Sequence, residues 1–488
     1  MGPLRRRPRC LLVAVAAACL LASSRLPALV GGACRPARRA PAGEARAGQR
    51  RCQGEAAAGP PAVEGIPGRS DDANFEQRAS VQRWRDIDGG LGNPLEGVDL
   101  TGGDAPYWLY HLGRFGFFAA QGLLSVNVAE AALALDRARG ATSAGSATPQ
   151  FLSRLSQAPG EFVRGLSQTT VATFRQDLDY IRSGYFKAPF DMSPSHRQWS
   201  PAFVAEKSLQ YVQEAVGVLQ RSAEKSDTRT WMSSGDDMYP PYYRHTFHYQ
   251  ADGWLSSRSA EVYETSTEVI FTGRQDAMQR TSLVHISDHL HNIMADRSGK
   301  GVRLLEVACG TGRLMTFVRD NWPGMDVTAS DLSPFYLEEA RKNNAYWVDN
   351  FAPKGDIGQA SFVQANAERL PFEDASFDIV LSVYLFHEVP AEAQDNIVAE
   401  VARVLAPGGT FVLTDSIQLG DRQIQDQQID KFGGFAEPYY MSYVRRDLAE
   451  LARAHGLEPG AKELSAATKS VTFVKRHAVD AGLSAGTV

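Results

Sequence analysis

The chain has 488 residues, 43% hydrophobic and 22% charged, with a formal net charge of −5. That length allows two or three domains, the composition is that of an ordinary soluble globular protein, and the acidic balance argues against a general nucleic-acid binder. Four of the five cysteines lie in the first 52 residues and only Cys309 lies beyond, which excludes a disulfide framework or a multi-cysteine zinc site in the body of the protein.

The sequence opens MGPLRRRPRCLLVAVAAACLLASS, a basic start from Arg5 to Arg9 and an apolar core from Leu11 to Ala22. That core is too short for a membrane span and suits a secretory h-region. The next stretch is rich in Arg and Ala, with no acid before Glu44, the composition of an organelle transit peptide. Together they resemble the two-part leaders of algae with complex plastids. The expectation is a plastid protein, with the secretory pathway as the alternative. Residues 1–70 are set aside as a disordered leader and 478–488 as a disordered tail.

Residues 75–229 read as a helical N-terminal region. Val171, Phe174, Leu178 and Ile181 recur at steps of three and four, and so do Leu209, Val212, Val216 and Leu219. Each set predicts the apolar stripe of an amphipathic helix. The run FGFFAAQGLLSVNV (115–128) is more continuously apolar and reads as a buried helix, with a membrane-surface contact as the alternative. Small polar residues over 137–150 and 221–237 predict a loop and a spacer. The segment YPPYYRHTFHYQADGW (239–254) is dense in aromatics. His285 and His289 stand at i and i+4, a metal-binding spacing, but no nearby cysteine or carboxylate pattern completes a site, so no metal is predicted.

From about residue 300 the pattern alternates. Strands are predicted over 302–308, 325–330, 360–365, 377–383, 410–416 and 470–476. Helices are predicted over 312–320, from Ser333–Pro334, over 390–405 and over 446–455. Ser333 suits an N-cap and Pro334 a first helical position. Such alternation implies a parallel sheet covered on both faces, with ligands beyond the carboxyl ends of its strands where strand order reverses.

The turn in LLEVACGTGRLMTF (304–317) offers Gly310 and Gly312 for the first two glycines of a dinucleotide fingerprint, but Met315 for the third. That weakens the case for a pyrophosphate. Asp331 ends the second strand, where a carboxylate can accept hydrogen bonds from both ribose hydroxyls.

The ordered series EVACGTG, Asp331, QANAERLPFEDASFDIVLS and EVARVLAPGGTFVLTDS resembles the class I S-adenosylmethionine-dependent methyltransferases. Within them it is most similar to the type 11 group containing ubiquinone/menaquinone-biosynthesis C-methyltransferases, over roughly 300–476. The resemblance implies a Rossmann-like α/β domain over 230–477, with a mostly parallel seven-stranded sheet and helices on both faces. It implies S-adenosyl-L-methionine as cofactor and S-adenosyl-L-homocysteine as its product. Glu306, Ala308, Gly310, Thr311 and Gly312 then shape the methionine and ribose pocket. Asp331 holds the ribose, Leu332 packs on the adenine, Asn366 and Ala367 edge it, and Ser382 lies close by. Ala308 departs from the glycine often found at its position.

Methyl transfer from a sulfonium needs alignment more than acid–base chemistry, but a carbon acid or hydroxyl acceptor needs a base. His387 and Glu388, in YLFHEVP after the fourth strand, are the candidates. The resemblance also suggests that 239–299 connects to or closes over the pocket, with Tyr239, Tyr242 and Tyr243 supplying rings and Arg244, His245 and His248 contacting substrate; interdomain packing is the other reading. The function expected is methyl transfer to a small molecule such as a quinol, another aromatic or an isoprenoid. The alternatives are an NAD(P)-dependent oxidoreductase, which Met315 opposes, and a non-catalytic cofactor-binding protein. Arsenite methylation is disfavoured because Cys309 stands alone.

Overall fold

The computed structural model describes residues 71–89, 95, 97–138, 159–224, 238–244, 250–294, 298–429 and 437–476. The leader, the tail, His245 and His248 lie outside these residues, as do most of the two expected spacers.

The chain begins with a two-residue strand β1 (Glu76–Gln77) and helices α1 (Ala79–Gly89), α2 (Ala105–Ala138), α3 (Pro159–Arg182) and α4 (Pro201–Glu224). Helices α5 (Ser257–Ile270), α6 (Gln275–Gln279) and α7 (Thr281–Ile293) follow. The alternating part then runs β2 (Arg303–Val307), α8 (Arg313–Asn321), β3 (Asp326–Asp331), α9 (Pro334–Asn350), β4 (Ala360–Gln364), β5 (Phe377–Val383), α10 (Ala391–Val404) and β6 (Leu405–Ser416). Short helices α11 (Gln423–Ile429), α12 (Tyr440–Val444) and α13 (Leu448–Ala454) lead to β7 (Leu457–Ser465) and β8 (Thr468–Lys475).

The eight strands form one sheet in the order β1-β7-β8-β6-β5-β2-β3-β4. Strand β8 runs antiparallel to β6 and β7; every other pair is parallel. The seven strands of the expected domain are present, and β1 extends them at the β7 edge through Glu76↔Ala461 and Gln77↔Lys462. Both faces of the central strands are covered. Leu304, Ile379 and Leu381 enter the core beneath α7 and α8, while Leu305, Val307 and Val380 enter the core beneath α10 and α13. Alternation of burial is thus hidden, and these strands read as continuous apolar runs. The order reverses at β2, which pairs with β3 on one side and β5 on the other, so the crevice opens above these three strands.

The stripe Val171, Phe174 and Leu178 on α3 is buried against Tyr107, Trp108 and Ala277, as its spacing predicts. The stripe on α4 differs: Leu209 is 61% exposed, whereas Glu214 on the same helix is buried. Helix α4 packs against α2 and α5, so its inner face is set by those neighbours and not by its own most apolar side chain. The run 115–128 is helical but only partly buried, with Leu123, Leu124 and Val128 exposed. Among the described residues no helix is long and apolar enough to cross a membrane.

Candidate functional site

The turn after β2 is built on left-handed backbone. Gly310 and Gly312 have φ of 55° and 68°, and Ala308 has φ of 54°. Glycine adopts this region without cost, whereas an L-alanine gives up about 1–2 kcal/mol. A Cβ on Gly312 would stand 2.9 Å from the Ala340 Cβ on α9, so this glycine lets α8 and α9 approach. A Cβ on Gly310 would instead point between the rings of Tyr263 and Tyr336, at 4.0 Å from each.

That space is part of a cavity of about 100 Å³. Ala308, Gly310, Asp331, Leu332, Asn366 and Ala367 all line it. Asp331 closes the turn: its two carboxylate oxygens accept from the Gly310 N–H at 2.9 Å and the Ser333 N–H at 2.8 Å. A carboxylate has further lone pairs, so ribose hydroxyls remain within its capacity. Burial raises its pKa to about 6 against the pull of these N–H groups. Asn366 also forms a local turn, accepting from the Glu368 N–H at 2.9 Å.

Four of the predicted cofactor residues stand behind this lining. Gly312 serves packing. Thr311 donates to Glu264 of α5 at 3.0 Å and borders a second, larger cavity. Ser382 is buried in β5, and its hydroxyl has no hydrogen-bond partner among the described residues. Glu306 is buried at the end of β2 with Oε2 unpartnered among the described residues.

Burial, helped by the Asp331 charge, pushes the Glu306 carboxyl up to about 8 from 4.5. It is therefore mostly the neutral acid at pH 7. A carboxyl raised on folding makes stability fall as pH climbs from its unfolded to its folded value, by about 1.4 kcal/mol per pH unit at most. Denaturant titrations should show this loss between about pH 5 and 8, and E306Q should flatten it; an unchanged slope would show that Glu306 is ionised at neutral pH.

The aromatic segment before the domain does reach the cavity. A single turn over Pro241–Tyr243 places Tyr242 and Tyr243 in its lining. Tyr242 donates to Glu368 Oε1 at 2.6 Å, and Tyr239 accepts from the Gln364 amide at 2.9 Å. Arg244 is not among the lining residues and donates to the Tyr239 carbonyl at 2.9 Å. Tyr263, Tyr336 and Trp254 meet edge to face, with centroids 5.2–5.6 Å apart. Tyr384 follows β5 with φ of 54°, an uncommon conformation for an aromatic residue.

Of the two base candidates, Glu388 lines the cavity and His387 does not. The imidazole Nδ1 lies 2.5 Å from Asp415 Oδ1, and Nε2 lies 3.5 Å from Glu388 Oε1. Burial lowers its pKa, but the Asp415 charge and hydrogen bond, with Glu388 behind them, carry it well above the ordinary value. The shift favours the imidazolium form of His387. Sequence reasoning missed its partner Asp415, which lies 28 residues further along the chain.

His285 and His289 are buried and serve the core: His285 Nε2 lies 3.3 Å from the Ser470 carbonyl and His289 Nδ1 lies 2.9 Å from the Thr410 hydroxyl.

Residues 304–409 match the family model for the methyltransferase domain. The chain is 30% identical over 133 residues to a sterol 4-C-methyltransferase of Caenorhabditis elegans, covering 27% of this chain and 36% of that one. It is 34% identical over 126 residues to a fatty-acid O-methyltransferase of Mycolicibacterium smegmatis, covering 26% and 41%. It is 31% identical over 146 residues to a ubiquinone/menaquinone-biosynthesis C-methyltransferase of Desulfotalea psychrophila, covering 30% and 54%. The chain spans about a third to a half of these relatives' lengths. Residues 304–409 therefore form a methyltransferase domain of the class I, S-adenosylmethionine-dependent kind.

Proposed function

We propose that the whole protein transfers a methyl group from S-adenosylmethionine to a small acceptor with an apolar or aromatic reacting part. The observation that carries this reading is the shared cavity: the Asp331 carboxylate, the Gly310 cradle and a ring of tyrosines open onto one space. The lining chemistry suits a nucleoside without phosphate, and the cavity of about 100 Å³ has to widen to admit the whole cofactor. Asp331 offers acceptors to ribose hydroxyls, Leu332 and Ala367 offer apolar faces to a base, and Glu306 Oε2 and the Ser382 hydroxyl, without partners among the described residues, stand just behind the turn. When bound, the sulfonium supplies an activated methyl group and a neutral leaving group.

The chain's own residues align the acceptor and exclude water. Tyr242, Tyr243, Trp254, Tyr263, Tyr336 and Tyr384 give the cavity aromatic walls. The relatives named for a sterol and a fatty acid act on apolar molecules, which supports an acceptor of that character here. A quinol, another aromatic or an isoprenoid fits the same description. Glu388 lines the cavity and His387 does not, so Glu388 is the base for a carbon-acid or hydroxyl acceptor, and His387 with Asp415 is its positioning pair.

Two measurements on the full chain test this. Calorimetry should detect S-adenosylhomocysteine and no NAD(P); the reverse would overturn the reading. With labelled S-adenosylmethionine and a metabolite extract, E388Q should keep cofactor binding and lose about 10²-fold or more in methyl transfer. Unchanged transfer by E388Q would remove its role as base.

A further inference from the structure

The larger cavity, of about 420 Å³, lies among α2, α4, α5 and α6, and Tyr263 lines both it and the cofactor cleft. Its size falls in the range of small-molecule sites. Phe117 and Phe118 of α2 and Phe203 and Val204 of α4 supply apolar wall. Helices α2 and α5 meet closely at Gly122, whose Cβ would lie 3.1 Å from Val269.

Four lining side chains carry polar atoms with no hydrogen-bond partner among the described residues: both amide atoms of Gln121, Gln275 Oε1, Gln279 Oε1 and Glu268 Oε2. Gln121, Gln275 and Glu268 are each at least 94% buried. Buried polar atoms are nearly always paired, and leaving one unpaired is costly, so several in one cavity point to something that binds them.

The charges around them restrict what that is. Arg114 is committed to Glu268 at 2.6 Å and Asp276 at 3.2 Å, and Arg313 to Asp276 at 2.7 Å and to Asp191. Lys207 donates to the Glu261 carbonyl at 2.7 Å, and Arg197 lies over the Tyr346 ring at 4.5 Å and donates to Asn343. Both guanidinium groups at the buried end are thus already engaged by carboxyl groups, which disfavours an anion. The unpartnered atoms include both acceptors and a donor, the complement of a hydroxyl group.

We propose that this cavity binds an apolar molecule ending in a neutral hydroxyl, alcohol or phenol, with the hydroxyl among Gln121, Glu268 and Gln275. The proposal stands beside the methyltransferase reading and does not depend on it.

Calorimetric titration of the full chain with 1-decanol, 4-hexylphenol and decanoate tests it, the first two separating an aliphatic from an aromatic ligand. At least one hydroxyl probe should bind with a stoichiometry of one, at least about tenfold tighter than decanoate. Gln121→Leu should erase that preference, and Val204→Trp, which fills the apolar wall, should abolish binding. Circular dichroism and S-adenosylhomocysteine binding on the same samples check that the variants fold. Neither hydroxyl probe binding, decanoate binding equally well, or folded V204W binding like the parent would overturn the proposal. A chain that binds S-adenosylhomocysteine but no hydroxyl probe sinks this inference alone; the converse sinks the methyltransferase reading alone.

Discussion

Replacing Asp331 with alanine is expected to weaken S-adenosylhomocysteine binding about a hundredfold or more. The carboxylate ends β3 and lines the small cavity, where its remaining lone pairs are the proposed acceptors for ribose hydroxyls. Two hydrogen bonds to a charged acceptor contribute about 1.5–3 kcal/mol each, and about 3 kcal/mol in all corresponds to roughly a hundredfold in Kd. The substitution also frees the Gly310 and Ser333 N–H groups, so the cradle itself loosens. Asp331→Asn keeps a side-chain oxygen and should lose less. Because burial holds the carboxyl at about 6, affinity should also fall as pH drops below that value and the acceptor becomes protonated. Calorimetry at pH 7.5 and 5.5, with thermal unfolding to establish that each variant is folded, measures all of this. Unchanged affinity in D331A would remove the ribose assignment.

That Asp331 could be picked out of the sequence, and Asp415 could not, follows from how each is specified. The cofactor cradle is local. Strand β2, the glycine turn and the start of α8 are contiguous, and β2 and β5 are largely buried on both faces, so their composition alone marks them. Gly310 and Asp331 fall where a strand end and a turn must be. The walls of the site are not local. Tyr263, Tyr336 and Tyr384 come from α5, α9 and the end of β5 and meet only in three dimensions. The hairpin strand β7 was missed because it looks polar: Lys462 and Glu463 are nevertheless buried, paired to Asp72, Asp421, Ser80 and Tyr180 from distant segments. Strand β1 gives no apolar signal, since both of its residues are exposed.

Arg280→Met should cost about 3–5 kcal/mol of stability and lower the unfolding midpoint by roughly 4–6 °C. The guanidinium grips Asp177 with two parallel bonds, Nε to Oδ1 at 2.9 Å and Nη2 to Oδ2 at 2.7 Å, and both side chains are 1% exposed. Tyr107 adds a third bond to the same carboxylate at 2.6 Å, and the guanidinium lies 5.1 Å from the Phe317 ring centroid. Asp177 sits on α3, Tyr107 on α2 and Phe317 on α8, so the pair fastens the helical N-terminal region to the methyltransferase domain. Methionine leaves the carboxylate buried with only the tyrosine for company. The loss is therefore mainly the penalty of an unpaired charge, not the net attraction of the pair. Replacing both partners, Arg280→Met with Asp177→Leu, should recover much of the loss, because an apolar pair of similar size avoids that penalty. Tyr107 still has the Phe174 carbonyl at 2.9 Å as an acceptor. Scanning calorimetry of the parent, the single and the double variant measures the difference. If the double variant falls as far as the single one, the attraction between the charges, and not the stranded carboxylate, is what holds the two regions together.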